Sequence, residues 1–311
     1  MAPTLSRWGR STYDTDADTA ADAAALAPWA TLRPPFSDAE ILVVPSSTRV
    51  GAAVLDAAPS ARLVITTTSG TDHLDLGVLG ARGVRAARLA DARRDAVCES
   101  ALELLLWGVR ATGPLDAAAR AGRWDRGALP ALGMRTLRGA RVGVVGLGVI
   151  GREMARVLAA LGARVCGADP AGVPEGVEAL PLAEMMRTCA AITLHCSLTP
   201  GSRGLVGAGL LDAAAPGLVL VNTARGDVLD LPAAVAALDA GRLGALGVDV
   251  YPEEPWPSLD AVAARPRLRY TPHSSGYFVG LPAAVRAGLV GTVAAWALGR
   301  PLPHPVGAGR G

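Results

Sequence analysis

The chain contains no lysine, so each of its 30 basic residues is an arginine. These arginines are spread along the sequence without basic blocks, and the formal net charge is only +2. Nucleic-acid-binding domains normally concentrate positive charge in a patch or stripe. The charge pattern therefore argues against a nucleic-acid partner.

Long apolar runs are missing as well. No run approaches the roughly 18 apolar residues of a membrane-spanning helix, and the first residues lack the apolar core of a signal peptide. We therefore expect a cytoplasmic protein with no membrane partner. Half of the 311 residues are nevertheless hydrophobic, which is enough to form two ordinary cores and predicts two domains.

Patterns that bind metals are also absent. The four cysteines form no C-x-x-C pair and lie in apolar or β-rich surroundings, which favours buried free thiols: Cys98, Cys166, Cys189 and Cys196. An acidic stretch near the start lacks the glycine and terminal glutamate of a calcium loop. We interpret its aspartates as a solvated helix face: Asp14, Asp16, Asp18 and Asp22. No metal site is predicted.

The most informative pattern is a glycine-rich turn between two β-type runs. The apolar run at 142–145 ends at Gly146, Gly148 and Gly151 follow, and apolar residues then recur at helical spacing. A second β-type run closes with Asp169, about 20 residues further on. Strand, tight turn, helix and a strand ending in a carboxylate together form the fingerprint of dinucleotide binding.

Each residue of this fingerprint has a physical task. Gly146 permits the sharp turn, Gly148 lets the backbone approach a pyrophosphate, and Gly151 lets the helix lie close to the strand. The helix N-terminus offers N–H groups and a positive dipole to the phosphates. Asp169 is suited to accept hydrogen bonds from the adenosine ribose and to repel a 2′-phosphate, so NAD is favoured over NADP.

β-type runs alternate with helical spacing in the rest of the chain. Before residue 90 the β-type runs lie at 41–44, 63–66 and 84–88, and no clear strand precedes Ile41. These runs predict a small parallel α/β unit. A helix from Asp95, apolar on two faces, should be buried. Four later β-type runs lie at 191–195, 218–222, 245–250 and 268–271. Together with the two strands of the fingerprint, they predict a doubly wound sheet of six parallel strands.

Ligands of such sheets bind beyond the carboxyl ends of the strands. The fourth strand is followed by Arg225, the fifth by Glu254 and the sixth by His273. A guanidinium, a carboxylate and an imidazole thus reach the edge where a nicotinamide should lie. Because the chain has only four histidines, a histidine at this edge is unlikely to arise by chance.

Over roughly residues 41–306 the sequence resembles the D-isomer-specific 2-hydroxyacid dehydrogenases. The motifs that carry the resemblance are specific through their common order and spacing rather than singly. They are Gly70-Thr71-Asp72-His73-Leu74-Asp75, Ala96-Val97-Cys98-Glu99, Gly122-Arg123-Trp124, the glycine fingerprint, and the segments 194–200, 222–226, 249–255 and 271–273.

The resemblance implies hydride transfer between NAD and a 2-oxo or 2-hydroxy acid of the D series. Arg225 would hold the substrate carboxylate and polarise the keto oxygen. His273 would donate a proton to that oxygen, and Glu254 would orient the ring and favour its charged form. Glu253 is adjacent, so a shift of one residue would exchange the two glutamates. The backbone of Ser69 and Gly70 would supply further N–H groups to the carboxylate.

The cofactor site is implied in the same way. Asp249 would hold the nicotinamide carboxamide, and other residues would line the cofactor through backbone groups or packing. The full cofactor set is Gly146, Gly148, Val149, Ile150, Gly151, Asp169, Thr199, Thr223, Ala224, Asp249 and Ser275.

The resemblance also implies the domain arrangement. A Rossmann cofactor domain at 92–275 would be inserted into a smaller, flavodoxin-like parallel α/β domain formed by 1–91 and 276–311, with substrate bound in the cleft between them. The family further implies a homodimer, with the long helix and the segment 114–138 as candidate contacts. No residue pattern proves this dimer.

The sequence departs from the family in substrate-facing loops, notably at 90–95. We hypothesise that Arg93 or Arg94 meets a second anionic group on the substrate. Two other functions stay open: an NAD-sensing, corepressor-like binding protein, and a dehydrogenase of the same fold acting on phosphite or a phosphorylated hydroxy acid. The sequence does not identify the physiological acid.

Overall fold

The computed structural model describes residues 2–11, 14–124, 126–257 and 265–307. The chain divides into two compact units, Met1–Arg93 with Tyr277–Gly311, and Arg94–Gly276. The predicted domain boundaries, after residues 91 and 275, lie two residues and one residue from the boundaries of these units, after residues 93 and 276. Their assignment to substrate and cofactor stays a prediction.

The first unit contains one sheet with helices on both faces. Its strands are β1 (Thr4–Arg7), β2 (Thr31–Leu32), β3 (Ile41–Val44), β4 (Leu63–Thr66), β5 (Arg85–Arg88) and β13 (Pro305–Val306). The sheet order is β13-β5-β4-β3-β1-β2, and only β13 runs antiparallel. The five parallel strands therefore have the 2-1-3-4-5 order of flavodoxin-like folds, which confirms the predicted fold class.

One strand that the sequence did not reveal is β1. It pairs in parallel with both β2 and β3 and so completes the sheet. Only Leu5 is a large apolar residue in this strand; the buried Ser6 instead donates from Oγ to the Pro34 carbonyl. Because this strand is short and partly polar, it lacks the apolar run that marks β3 and β4.

Four helices accompany this sheet: α1 (Asp16–Leu26), α2 (Ala52–Ala57), α3 (Leu76–Ala81) and α10 (Leu281–Ala297). One core contains Leu26, Ile41 and Leu289, and another contains Leu42, Val64 and Leu79. Both faces of the sheet are covered, as parallel sheets require.

The predicted solvated helix face is wrong at Asp22. This carboxylate is buried in α1 and forms ion pairs with Arg7 of β1 and Arg286 of α10. Asp18 instead completes a capping box with Thr15 at the helix start. Asp22 therefore links a strand to two helices through charged hydrogen bonds.

The second unit contains a sheet of seven parallel strands in the order β12-β11-β10-β9-β6-β7-β8. They are β6 (Arg141–Val145), β7 (Arg164–Ala168), β8 (Glu178–Ala179), β9 (Ala191–Leu194), β10 (Leu218–Asn222), β11 (Leu243–Val248) and β12 (Leu268–Tyr270). The predicted count of six missed β8, an exposed edge strand of two residues. The order is that of a doubly wound fold, with its switch point between β6 and β9.

The described residues of this unit form the helices α4 (Arg94–Val109), α5 (Thr112–Arg120), α6 (Val149–Ala160), α7 (Leu182–Thr188), α8 (Ala208–Asp212) and α9 (Leu231–Asp239). They also form short 3-10 turns at Leu129–Leu132 and Gly226–Val228. The predicted burial of α4 is confirmed, although Leu106 is exposed. A Cβ at Gly108 would lie 2.5 Å from Val219, so the helix packs directly on the sheet.

No helix in the described ranges is both long and apolar enough to cross a membrane. Nor do the described residues hold a cluster of three or more metal-ligating side chains. All four cysteines are free thiols, as expected, and Cys98, Cys166 and Cys189 are buried; Cys196, also predicted to be buried, is only half-buried.

Candidate active site

The glycine turn follows β6 at the switch point of the second sheet. Gly146 has a φ of +86°, and a Cβ there would lie 2.4 Å from the backbone nitrogen of Cys196. A Cβ at Gly151 would lie 1.8 Å from the Gly146 carbonyl oxygen. Both positions therefore require glycine, one for its backbone angle and close approach and the other for helix–strand packing.

Gly148 differs because nothing lies within 4 Å of its Cβ position. It is the N-cap of α6, and no side chain caps the helix there. The first helical residues, Val149 and Ile150, are half-buried beside it. The helix N-terminus thus offers N–H groups and open space, the combination that an anionic phosphate group needs.

Asp169 follows β7 and faces the same turn. Its Oδ2 accepts a hydrogen bond from the Leu147 N–H at 2.6 Å, and its Oδ1 accepts one from the Ala171 N–H at 2.8 Å. The carboxylate therefore fixes the glycine turn and keeps a negative charge beside it.

The loop after β10 is organised by Asn222, whose side chain was not assigned a role from the sequence. Its Oδ1 accepts from the Ala224 N–H and its Nδ2 donates to the Arg225 carbonyl, both at 3.0 Å. The buried hydroxyl of neighbouring Thr223 has no hydrogen-bond partner in the described part of the chain. The sequence feature that could have indicated this role is the position of Asn222 at the end of a buried strand. A side-chain amide there can hydrogen-bond to the backbone of the loop that follows.

Gly226 brings this loop against the next one. A Cβ at Gly226 would lie 1.9 Å from the carbonyl carbon of Tyr251, so any side chain would push the two loops apart. Arg225 and Glu254 therefore reach the same edge of the sheet through a contact that only glycine permits. The charge of Arg225 also contributes to lowering the pKa of Glu254.

Glu254 and His273 are in direct contact. Oε2 of Glu254 lies 2.7 Å from Nδ1 of His273, and Oε1 accepts from the Tyr251 N–H at 3.1 Å. Burial tends to raise the pKa of Glu254, but the bond and charge of His273, the Tyr251 N–H and Arg225 together hold it below its ordinary value. Of the two adjacent glutamates, Glu254 is the one that this geometry pairs with the imidazole.

His273 has an unusual backbone conformation, with a φ of +51°. Its N–H donates to the Asp249 carbonyl at 2.8 Å. Nδ1 is engaged by Glu254, whereas Nε2 has no hydrogen-bond partner within the described ranges, and the side chain is 49% exposed. Non-glycine residues in such conformations cluster at functional sites.

Asp249 supports the histidine loop. This carboxylate is buried, with Oδ1 accepting from the Ser274 N–H at 2.8 Å and from the Thr271 hydroxyl, and Oδ2 accepting from the Ser275 N–H at 3.0 Å. Its expected contact with the nicotinamide carboxamide stays a prediction, as does the cofactor role of Ser275.

Thr199 lies in the loop after β9, where its N–H and hydroxyl bond to Ser202 Oγ. Nearby His195 bonds through Nε2 to the Thr193 hydroxyl at 2.9 Å, and burial lowers the pKa of its imidazole to about 4. This histidine is therefore neutral at neutral pH. The buried His73 of the first unit bonds to Thr66 Oγ1.

Ser69 and Gly70 belong to the first unit, in the loop after β4. The Ser69 hydroxyl donates to the Ala90 carbonyl, and its own carbonyl accepts from Arg88 Nη1 at 3.2 Å. The N–H groups of Ser69 and Gly70 have no hydrogen-bond partner in the part of the chain that the structure describes. Their role toward a substrate stays a prediction.

Residues 102–275 match the family model for the D-isomer specific 2-hydroxyacid dehydrogenase, NAD binding domain. Among curated proteins, D-3-phosphoglycerate dehydrogenase from Mycobacterium bovis is 35% identical over 223 residues. That match covers 70% of this chain but only 42% of the relative, so the chain spans less than half of that protein.

Solved structures match along nearly the full chain. A D-isomer specific 2-hydroxyacid dehydrogenase from Xanthobacter autotrophicus, in complex with NADPH and MES, has a TM-score of 0.82 and 25% identity, with 98% of each chain covered. The D-lactate dehydrogenase of Aquifex aeolicus, in complex with NAD and lactic acid, has a TM-score of 0.79 and 22% identity, covering 95% of this chain and 96% of that one. The second likeness shows the fold alone.

Proposed function

The chain belongs to the D-isomer specific 2-hydroxyacid dehydrogenase family, and from this premise we propose that it interconverts a 2-oxo acid and a D-2-hydroxy acid with NAD as cofactor. The observation that carries the proposal is the contact of 2.7 Å between Glu254 Oε2 and His273 Nδ1, which leaves the second ring nitrogen open. A histidine held in this way can give or take one proton at a fixed point.

In the direction of reduction, His273 donates the proton from Nε2 to the keto oxygen as the C2 carbon is reduced. Glu254 keeps the ring oriented and compensates the positive charge of the protonated imidazole. In the reverse direction the same nitrogen removes the hydroxyl proton. Glu254 touches no reacting atom in this scheme and acts through His273.

Arg225 binds the substrate. A planar guanidinium can hold a carboxylate through two parallel hydrogen bonds, and its charge also polarises the adjacent keto oxygen. Its loop is fixed by Asn222 and Gly226, so the guanidinium begins from a defined backbone position. The substrate therefore meets one cation and one proton donor at the same edge of the sheet.

The residues present fit a dinucleotide. The open space at Gly148, the uncapped start of α6 and the buried, unpartnered hydroxyl of Thr223 are suited to phosphate and ribose groups. When bound, the reduced cofactor NADH would supply the hydride to C2 of the 2-oxo acid, and the oxidised form NAD would accept it in the reverse direction. The charge of Asp169 favours NAD over NADP, because a 2′-phosphate would meet a carboxylate rather than an arginine.

We further propose a cytoplasmic homodimer. Within the segment 114–138, named above as a candidate contact, Trp124 is 90% exposed, and an aromatic side chain this exposed is suited to an interface. Sedimentation equilibrium of the purified chain tests the dimer.

The function is tested by incubating the purified protein with NADH and a panel of 2-oxo acids while the NADH absorbance is followed. Consumption of NADH supports the proposal. Binding of NADH without turnover would indicate the sensor function instead, and activity only with NAD and phosphite or a phosphorylated hydroxy acid would indicate the other enzyme.

A further inference from the structure

The loop after β4 has its carbonyl groups fixed by side chains. The Thr67 carbonyl accepts from Arg93 Nη1, and the Ser69 carbonyl accepts from Arg88 Nη1 at 3.2 Å. The Gly70 carbonyl accepts from the Thr68 hydroxyl at 3.1 Å. Three carbonyls of four consecutive residues thus point toward donors inside the same unit.

Fixing a carbonyl also fixes the N–H on the other side of the same peptide plane. The Ser69 carbonyl shares its plane with the Gly70 N–H, and the two groups point in opposite directions. Arg88 therefore sets the direction of the Gly70 N–H, which has no bond to protein in the described part of the chain. A charged donor on the carbonyl also polarises that N–H and makes it a better donor.

The surroundings of Arg88 favour an anion nearby. Its Nε is buried without a hydrogen-bond partner, and none of the described carboxylates forms an ion pair with it. Burial lowers the pKa of its guanidinium, in keeping with a partly desolvated cation. A half-buried cation whose Nε is buried without a partner is unfavourable, and an anion bound at the neighbouring N–H groups relieves part of this cost.

We propose that Arg88, supported by Arg93, is a positioning residue that holds the 67–70 loop so that the N–H groups of Ser69 and Gly70 bind the carboxylate of the 2-oxo acid. This inference rests on the proposed function. Arg88 acts through the Ser69–Gly70 peptide and touches no reacting atom.

This inference differs from the sequence hypothesis of a second anionic group at Arg93 or Arg94. Arg94 belongs to the second unit and pairs with Asp95 at 2.8 Å. Arg93 donates to the Thr67 carbonyl. Neither contact tests the hypothesis, but Arg93 already has a task within the loop.

The test compares Arg88→Ala and Arg88→Lys with the control Arg62→Ala, an exposed arginine just before the other end of β4. For a 2-oxo acid we expect Arg88→Ala to raise KM about 10- to 100-fold with kcat little changed, because the contact is equal in ground and transition states. The KM for NADH and the Tm should stay near wild type. Arg88→Lys should recover part of the loss, and Arg62→Ala should behave as wild type.

Two kinetic outcomes would overturn the inference. One is an unchanged KM in Arg88→Ala; the other is a parallel loss of kcat, NADH affinity and Tm, which indicates a general structural role. A comparison of 2-oxovalerate with 2-oxoglutarate, which have the same chain length, supplies a third outcome. If Arg88→Ala lowers kcat/KM at least tenfold more for the dianion 2-oxoglutarate, Arg88 binds the distal carboxylate directly. That result also contradicts a positioning role.

A binding measurement keeps this test separate from the proposed function. Oxalate is titrated calorimetrically into the wild-type protein and Arg88→Ala, each saturated with NADH. Weaker binding to the variant supports the positioning role even where no 2-oxo acid is turned over. Equal binding of oxalate to both proteins, or binding to neither, contradicts the positioning role. The proposed function is judged separately, by whether the wild-type protein turns over a 2-oxo acid.

Discussion

At the scale of single residues, Glu254 holds the imidazole of His273 in one orientation. The carboxylate accepts from the Tyr251 N–H through one oxygen and contacts the imidazole through the other, so it cannot turn without losing a bond. The histidine is held by its own N–H on the Asp249 carbonyl. The free ring nitrogen therefore has both a defined position and a nearby compensating charge.

The first prediction concerns the pH dependence of stability. The pKa of Glu254 is lower in the folded protein than its ordinary value of 4.5, so its interactions stabilise the fold above that pH and are lost as the pH falls through the lowered pKa. We expect Glu254→Gln to lower the free energy of unfolding near neutral pH, and this difference from wild type to shrink on acidification.

Urea unfolding followed by circular dichroism at a series of pH values checks this, with Glu253→Gln as the matched control. A difference between wild type and Glu254→Gln that does not change with pH would contradict the pairing.

At the scale of elements, the site depends on how closely turns and loops approach one another. Gly226 lets the loop after β10 meet the loop after β11, and Gly151 lets α6 meet the glycine turn. These contacts lie at the carboxyl ends of parallel strands, where side chains from separate crossover units meet.

The second prediction is that Gly226→Ala destabilises the protein and reduces turnover. A Cβ there would lie 1.9 Å from Tyr251, so the loops that hold Arg225 and Glu254 must separate. We expect a loss of about 1–3 kcal/mol in the free energy of unfolding, typical of overpacking. The value of kcat should fall at least tenfold, with NADH binding retained.

Chemical unfolding and steady-state kinetics measure both effects. Gly209→Ala, in α8, where no atom lies within 4 Å of the Cβ position, is the control and should match wild type. Unchanged kcat in Gly226→Ala would show that the loop contact does not align the site.

The third prediction concerns the choice of cofactor at the end of β7. Asp169→Asn removes the negative charge but keeps an oxygen that can accept from the Leu147 N–H. We expect the ratio of kcat/KM for NADH to that for NADPH to fall about tenfold or more, which corresponds to about 1.4 kcal/mol. A ratio equal to that of wild type, from kinetics with both cofactors, would contradict the role of this carboxylate.

The sequence was sufficient for elements that carry a strong periodic signal. Buried parallel strands such as β9 and β10 are continuous apolar runs, and they were predicted at their observed places. The strands β1, β2, β8 and β13 were missed because they are short, partly polar or at an edge, where burial does not select apolar residues.

The same limit applies to the candidate site. The motifs predicted Arg225, Glu254 and His273 as site residues, because each of them follows an apolar run that ends at the same edge of the sheet. They gave no role to Asn222 or Arg88, since a side chain that bonds to a distant carbonyl leaves no periodic pattern. Such contacts depend on the positions of loops, and only a three-dimensional structure supplies these.

At the scale of the whole molecule, the chain combines a doubly wound sheet with a flavodoxin-like sheet, each with its own core. The second unit carries the glycine turn, Arg225 and the Glu254–His273 pair within one continuous segment. The first unit carries the 67–70 loop, in which the N–H groups of Ser69 and Gly70 have no hydrogen-bond partner among the described residues.

The most direct test of the central claim is to identify the product formed from a 2-oxo acid and NADH by chiral chromatography. The account predicts the D-2-hydroxy acid, in a one-to-one ratio with NADH consumed, from the wild-type protein. His273→Gln should lower kcat by about 100-fold or more while still binding NADH. Formation of the L isomer, or turnover by His273→Gln equal to that of wild type, would contradict it.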